Sequence, residues 1–311
     1  MSADTARRRI LAVCYSQSGQ ASAVENQFLV PLRQAGHTVD CIALKPGSPH
    51  PFPWPFWRFI DSFPEIVAQQ PVALEDWSAG SNYELVVITY PVWFLSPPPA
   101  VVSFIRSQAG RRLLHDTPVV TVTACRNMWI EAHRDMLALL QEAGARPCDH
   151  LALTDPGPPL ATFVTTPRWV LTGRRDAFLG LPPAGLTQSI ISGVSRYGAI
   201  VEQAIRDPGW SGVGSMLACT DAMRVDPALA SSERIGKRSF RVWGRLLRAC
   251  GAPGTPVRRA VLVLYVAFLL LMIITVVPLS LVIRRLIGLL APDRVRAMAS
   301  DLERQPGATA P

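Results

Sequence analysis

The sequence predicts an α/β protein with a doubly wound, five-stranded parallel sheet, followed by one C-terminal transmembrane helix. Short apolar runs alternate five times with segments of helical periodicity, and no hairpin turn separates neighbouring runs. This alternation is typical of parallel strands joined by right-handed helical crossovers. A later stretch of 24 uncharged residues, 260–283, is long enough to cross a hydrocarbon core of about 30 Å.

The strand and helix signals follow one another in chain order. The expected strands are short, mostly apolar runs: 10–14, 38–44, 84–90, 117–123 and 147–153. The expected helices carry apolar residues at helical spacing: 22–35, 99 to about 107, 130–143 and 185–205. Residues 45–83 are dense in Pro and Trp, so they are predicted to form a long irregular excursion between the second and third strands.

Composition divides the chain into four parts. Residues 8–206 are predicted as the α/β domain, 207–256 as a basic, partly irregular linker, 257–291 as the transmembrane helix and 292–311 as a polar tail. Much of the net charge of +8 comes from arginines on both flanks of the apolar run, with more of them on the N-terminal side. By the positive-inside rule, this excess predicts a single pass with the N-terminal domain in the cytoplasm. Pro278 inside the run leaves a shorter span or a re-entrant hairpin open.

The basic linker and the cysteines narrow the class of protein further. Basic residues mixed with Phe240 and Trp243 fit a helix at a lipid surface, whereas no recognition helix or aromatic RNA motif supports binding of nucleic acid. Six cysteines are scattered without a Cys-x-x-Cys pair or a zinc spacing, so no metal site is expected and a reduced compartment is indicated. Cys14 and Cys41 are expected as small buried hydrophobes in strands.

A hydroxyl- and glycine-rich turn follows the first strand directly. Its residues are Ser16, Gln17, Ser18, Gly19, Gln20 and Ala21. Such a turn opens the next helix, whose first N–H groups have no intrahelical partner and attract anions. The absence of Gly-x-Gly-x-x-Gly and of an ATPase P-loop argues against those two kinds of nucleotide site. The turn is therefore predicted to hold a terminal phosphate, with an ordinary Ser/Gly turn as the alternative.

Two further loops lie at the same edge of the expected sheet, where open α/β sheets bind their ligands. The third strand runs into Pro91, Val92, Trp93 and Phe94 and then Ser96-Pro-Pro-Pro, and the fourth into Ala124, Cys125, Arg126 and Asn127. Trp93 and Phe94 offer an aromatic face to a flat cofactor. Together with the first turn, these loops resemble those of flavodoxins and flavodoxin-like NAD(P)H-dependent FMN oxidoreductases.

This resemblance implies a cofactor, a donor and a set of binding residues. The implied cofactor is FMN and the implied electron donor is NAD(P)H. The implied cofactor-binding residues are the turn residues 16–21, the four residues 91–94, and Ala124, Cys125 and Asn127.

A closer resemblance covers about residues 8–206. Segments 53–59 (PWPFWRF), 125–129 (CRNMW), 161–169 (ATFVTTPRW) and 171–178 (LTGRRDAF) are similar to those of bacterial proteins labelled dialkylresorcinol condensing enzyme. The resemblance implies a role in secondary metabolism beside ketosynthases, and with the apolar run it implies a bacterial inner (cytoplasmic) membrane. Condensation needs a cysteine nucleophile assisted by histidines. Cys125 and Arg126 are the candidate catalytic residues, whereas His133 is expected on a solvated helix face.

Two classes of function remain open on these grounds. The first is a membrane-tethered FMN oxidoreductase that acts on an apolar or aromatic small molecule. Its Trp- and Phe-rich excursion around 54–63 would shape a channel near the lipid bilayer. The second is a condensing enzyme, or a non-catalytic accessory protein, without flavin.

Overall fold

The computed structural model of the protein describes residues 7–290 and 300–308. Its centre is a five-stranded, all-parallel sheet in the order β2-β1-β3-β4-β5. The strands are β1 (Arg9–Cys14), β2 (Thr38–Ala43), β3 (Leu85–Pro91), β4 (Pro118–Cys125) and β5 (Arg146–Thr154). The order 2-1-3-4-5 with helical crossovers is that of the flavodoxin-like doubly wound fold. The predicted fold class is therefore confirmed.

Helices cover both faces of this sheet. In chain order they are α1 (Gln20–Gln34), α2 (Phe56–Val67), α3 (Pro99–Arg106), α4 (Gln108–Leu114), α5 (Ile130–Glu142), α6 (Pro159–Thr172), α7 (Gln188–Gly193), α8 (Ser195–Ile205), α9 (Pro227–Ala249) and α10 (Pro256–Leu290). One apolar core joins the sheet to α1, α7 and α8, and a second joins it to α3 and α5. Gly198 allows α8 to approach α1 closely, because a Cβ there would lie 2.0 Å from Phe28 O.

Six helices differ from the sequence expectation. The excursion 45–83 contains α2, and α6 lies in the insertion after β5; each has an internal proline, at Pro64 and Pro167. Proline lacks an N–H group and disfavours a helix interior, so the sequence pattern of these helices was weak. A further short helix, α4, follows α3, and the expected helix 185–205 is split into α7 and α8. Much of the expected linker is the long helix α9.

Two burial expectations were wrong. Cys14 is buried as expected, but Cys41 is exposed, because β2 is an edge strand whose side chains are mostly solvated. His133 does not lie on a solvated face: it is 6% exposed and its ring stacks on that of His150 at 4.0 Å between centroids. Its helix, α5, packs between β5 and α9, so these elements bury a helix face that the sequence pattern predicts to be exposed to solvent.

Helices α9 and α10 form an antiparallel hairpin on the domain. Trp243 of α9 contacts Tyr265 and Phe268 of α10 at 5.4 and 5.3 Å between ring centroids. Phe63 of α2 packs against Phe240 and Tyr265, so the hairpin shares an apolar cluster with the α/β domain. Within the described residues, Pro256–Thr275 is long and apolar enough to cross a membrane. The side chains of 276–290, Pro278 among them, and the arginines at 294 and 296 lie outside the described residues.

The buried histidine pair predicts a pH effect on stability. Burial lowers the pKa of His133 to about 3 and holds that of His150 well below its usual range. Below pH 6.5 the unfolded chain therefore binds protons that the folded pair excludes, and folding loses about 1.4 kcal/mol per histidine and pH unit. Burial also raises the pKa of Glu25 and of Glu233 to about 7, which opposes this trend because these carboxyls stay protonated only when folded.

The test therefore compares the pH dependence of the free energy of unfolding between the wild type and one variant. Relative to the wild type, His133→Phe is expected to gain about 1.4 kcal/mol in free energy of unfolding for each pH unit from 6 to 4. Urea titrations at several pH values measure this difference. A difference that stays constant with pH would show that His133 is protonated in the folded protein.

Candidate active site

The turn after β1 lies where the carboxyl ends of the central strands meet. Cys14 pairs with Thr89 of β3, so the turn begins beside the end of that strand. The Ser16 hydroxyl oxygen is buried and has no hydrogen-bond partner. Gly19 begins α1 with a φ of 83°, a conformation that glycine adopts without strain, and no side chain caps the helix. The first amides of α1 and the Ser16 hydroxyl are therefore left to a ligand.

The two glutamines of this turn brace it against neighbouring loops. Gln17 donates from Nε2 to Pro51 O at 2.8 Å and accepts at Oε1 from Trp54 Nε1 at 3.0 Å. Gln20 accepts at Oε1 from Leu186 N at 3.2 Å. Their side-chain amides already hold protein partners, so a contact of these residues with a cofactor would come from the backbone.

An aromatic cluster stands beside the turn. Trp93 meets Tyr15, His50 and Trp54 edge-on, with ring centroids 5.4, 5.2 and 5.7 Å away. His50 stacks on Trp54 at 5.0 Å. Burial lowers the pKa of His50, so its ring is neutral at pH 7, and its Nε2 is buried without a partner. His50 was missed by the sequence analysis, although its place in the aromatic stretch after the second strand was a signal.

The loop after β3 is a tight turn in a rare backbone conformation. Phe94 and Leu95 have φ values of 47° and 57°, and the backbone groups of Trp93 and Ser96 exchange two hydrogen bonds of 2.9 and 3.0 Å. Left-handed backbone at two successive non-glycine residues is strained and persists only when its surroundings hold it. The support comes from Lys237 of α9, whose Nζ donates to Leu95 O at 2.7 Å.

This turn sends its two aromatic side chains in different directions. Trp93 joins the cluster beside the turn after β1, whereas Phe94 packs on Phe59 of α2 at 4.9 Å and on Phe240 of α9 at 5.9 Å. The two side chains therefore do not lie together as expected. Trp93 lies beside the turn after β1, and Phe94 anchors its loop to α2 and α9. Pro91 ends β3 opposite Ala124, and Val92 packs in the cluster that contains Cys125.

The loop after β4 carries further unpaired polar groups. Arg126 lies over the ring of Phe163 at 3.9 Å, burial lowers its pKa to about 10, and it stays cationic at neutral pH. The Arg126 Nε and the Asn127 Oδ1 atoms are buried without partners. Cys125 donates from Sγ to Leu153 O at 3.7 Å, and burial raises the pKa of its thiol, which disfavours a thiolate.

A cavity of about 1000 Å³ adjoins the aromatic cluster. It lies between the loop after β2, helix α2 and the connection from α9 to α10. His50 and Trp54 belong both to its lining and to the aromatic cluster, and Arg58 and Arg259 line it as well. The cavity thus joins the sheet edge to the first turn of α10. Among the described residues, no group of three or more His, Cys, Asp or Glu side chains could hold a metal ion.

Comparison with known proteins finds likeness to solved structures alone. No family model and no curated protein matches the chain. A Bacteroides eggerthii protein assigned as a flavoprotein is 16% identical, covers 47% of this chain and 89% of its own, and has a TM-score of 0.38. A Lactobacillus acidophilus flavoprotein solved with FMN is 13% identical, with coverage of 47% and 92% and a TM-score of 0.36.

An NAD(P)H:quinone oxidoreductase from Methanothermobacter marburgensis is 10% identical. It covers 63% of this chain and 97% of its own, with a TM-score of 0.31.

Proposed function

We propose that the domain binds FMN and acts as an NAD(P)H-dependent oxidoreductase on an apolar or aromatic small molecule, held at a membrane by α9 and α10. One observation carries the proposal. Four buried polar atoms without partners lie in the loops after β1, β2 and β4: Ser16 Oγ, His50 Nε2, Arg126 Nε and Asn127 Oδ1. Folded proteins pair nearly all such atoms, so four exceptions in loops at the same sheet edge support a polar ligand there.

The chemistry of these groups fits FMN part by part. The uncapped N-terminus of α1 and the Ser16 hydroxyl suit a phosphate dianion. The Trp93 ring offers an apolar face to the isoalloxazine, and Arg126 with Asn127 supplies a cation and an amide for its polar edge. When bound, FMN supplies two-electron redox chemistry, while the protein orients it and excludes water.

The cavity beside the aromatic cluster is the proposed substrate site. Much of its lining is apolar or aromatic, it starts at His50 and Trp54, and it reaches the base of α10 at Arg259. A substrate drawn from a membrane would enter at this base and meet the cofactor at the aromatic cluster. A lipidic aromatic compound of the dialkylresorcinol or aryl-polyene type, and ketosynthase partners, remain part of the proposal on the sequence resemblance alone.

No observation favours the condensing alternative. Condensation by Cys125 needs a reactive thiolate with histidine beside it. Burial raises the pKa of the Cys125 thiol, and its hydrogen bond goes to a backbone carbonyl. His133 is packed against His150 in the interior and has a lowered pKa.

Replacement of one hydroxyl tests the phosphate site. Ser16→Ala is expected to weaken FMN binding about 10- to 100-fold, because a hydrogen bond to a charged group contributes about 1.5–3 kcal/mol. The free energy of unfolding without FMN should stay the same or rise, since a buried unpaired oxygen is removed. Titration of FMN fluorescence and urea unfolding measure the two effects. Ser192→Ala on α7 is the matched control, and unchanged affinity in Ser16→Ala would remove Ser16 from the site.

A further inference from the structure

The C-terminal residues 300–308 lie against the edge of the sheet in the same domain from which α10 departs. Gln305, 4% exposed, pairs with the backbone of His150 in β5: its Oε1 accepts from His150 N at 2.6 Å, and its Nε2 donates to His150 O at 2.9 Å. Gly307 N donates to Cys148 O at 2.8 Å. The tail thus satisfies backbone groups along a strand edge, which would otherwise be left unpaired.

A second contact ties the tail to the segment that precedes α9. Glu303 accepts from Val225 N at 2.8 Å, next to the start of α9. At the other end of α10, Arg258 is bound to Asp61 and Glu65 of α2. The chain is therefore tied to the same domain near the start of α10 and again in the tail beyond it.

These contacts of the tail argue against a full crossing of the bilayer by α10, because the chain that would have to return is short and charged. Residues 291–299 join α10 to the tail, and a fully extended chain of this length reaches at most about 35 Å. A return from the far surface would draw Asp293, Arg294 and Arg296 through a hydrocarbon core of about 30 Å. Each charge at the centre costs about 2.5–3.5 kcal/mol or more, and the extended backbone would lose its hydrogen bonds.

The outer surface of the hairpin has the composition of a lipid contact. Its exposed aliphatic side chains are Ile235, Val242, Leu246, Val257, Val263, Leu264, Leu270, Leu271 and Ile274. Exposed arginines accompany them on α9: Arg234, Arg238, Arg245 and Arg248. The two helices contain one acidic residue, Glu233, and it is buried. An apolar surface bordered by cations alone fits a membrane leaflet rich in anionic lipids.

We propose that α9 and α10 form a monotopic anchor, which enters one anionic leaflet and leaves the α/β domain and the C-terminal tail on the same side of the membrane. The inference depends on the membrane tethering proposed above and not on FMN. It favours the re-entrant alternative over the single pass expected from composition. The tail then has a structural role, since it closes the sheet edge while the hairpin is in lipid.

Paired reporter fusions on the full chain test the sidedness. Green fluorescent protein fluoresces when it stays in the bacterial cytoplasm, and alkaline phosphatase is active only after export. With an N-terminal fusion that fluoresces, the C-terminal fluorescent fusion should fluoresce and the C-terminal phosphatase fusion should be inactive, with the protein in the membrane fraction. An active C-terminal phosphatase would establish a full crossing and overturn the proposal.

Vesicle flotation tests the lipid contact. The full-length protein should float with vesicles that contain phosphatidylglycerol and bind pure phosphatidylcholine vesicles at least tenfold more weakly. The double variant R238E/R245E should lose at least tenfold in binding to the anionic vesicles, whereas R111E/R112E on α4 should bind like the wild type. Equal binding by both variants, or no flotation at all, would contradict an anionic leaflet as the partner. Flavin absorbance of the same samples reports FMN separately, so failure of one proposal is distinguishable from failure of the other.

Discussion

Arg258→Met is expected to lower the free energy of unfolding by about 3–5 kcal/mol. The Arg258 side chain is 1% exposed; its Nε donates to Asp61 Oδ1 at 2.6 Å, and its two Nη atoms donate to Glu65 Oε1 and Oε2 at 2.8 Å. Methionine keeps much of the volume but leaves both carboxylates without their cation. Because the pair joins α10 to α2, the base of the hairpin should separate from the domain.

The measurement is chemical unfolding in detergent, with limited proteolysis of the connection 250–255. The variant should be cut there faster than the wild type, because its hairpin opens more often. Arg259→Met is the matched control: this exposed neighbour lies over the ring of Trp57 at 4.5 Å and should cost at most about 1 kcal/mol. If Arg258→Met costs no more than its neighbour, the ion pair does not hold the hairpin in place.

Lys237→Met is expected to have an effect of similar size. Lys237 is 1% exposed, and it donates to the carboxylate of Asp135, to Ser96 Oγ and to Leu95 O. Its loss leaves a buried carboxylate with Arg241 alone, at 3.3 Å, so we expect a cost of about 3–5 kcal/mol. It also removes the support of the strained turn that carries Trp93, so FMN binding should weaken as well.

A second variant separates the two roles of Lys237, which are to neutralise Asp135 and to support the turn after β3. The double variant K237M/D135L should recover most of the stability, because an apolar pair of similar volume can replace a buried ion pair. It should not recover FMN affinity, because Leu95 O still lacks its donor. Arg238→Met, at an exposed position beside Lys237, is the control for both readouts. Recovery of FMN affinity in the double variant would show that Lys237 does not position the turn.

The part of the fold that sequence predicted is the part that local patterns determine. The central strands β1, β3 and β4 are largely apolar runs, because a central parallel strand is buried on both faces, and such runs are visible without any knowledge of neighbours. The helices α2 and α6 were missed because a proline in each breaks the expected periodicity. Their stability comes from packing, such as that of Phe63 on α9 and α10, which no local window contains.

The candidate site, too, was visible from the sequence only where its residues are close together along the chain. The turn after β1 was visible because strand, hydroxyls, glycine and helix follow one another within a few residues. His50 was missed although it lies in the aromatic stretch after the second strand. Lys237 was not visible, because it reaches the site from α9, more than 100 residues along the chain from the turn that it supports. His133 was misplaced for the same reason, since the helix that covers it is distant in sequence.

Binding of FMN to the wild-type protein is the most direct test of the proposed function. The full-length protein is purified in detergent, its visible absorbance is recorded, and any released cofactor is identified by chromatography. The proposal predicts stoichiometric FMN, either co-purified or taken up on addition. A colourless protein that takes up no added FMN would contradict it, and the unpaired polar atoms after β1, β2 and β4 would then need a different ligand.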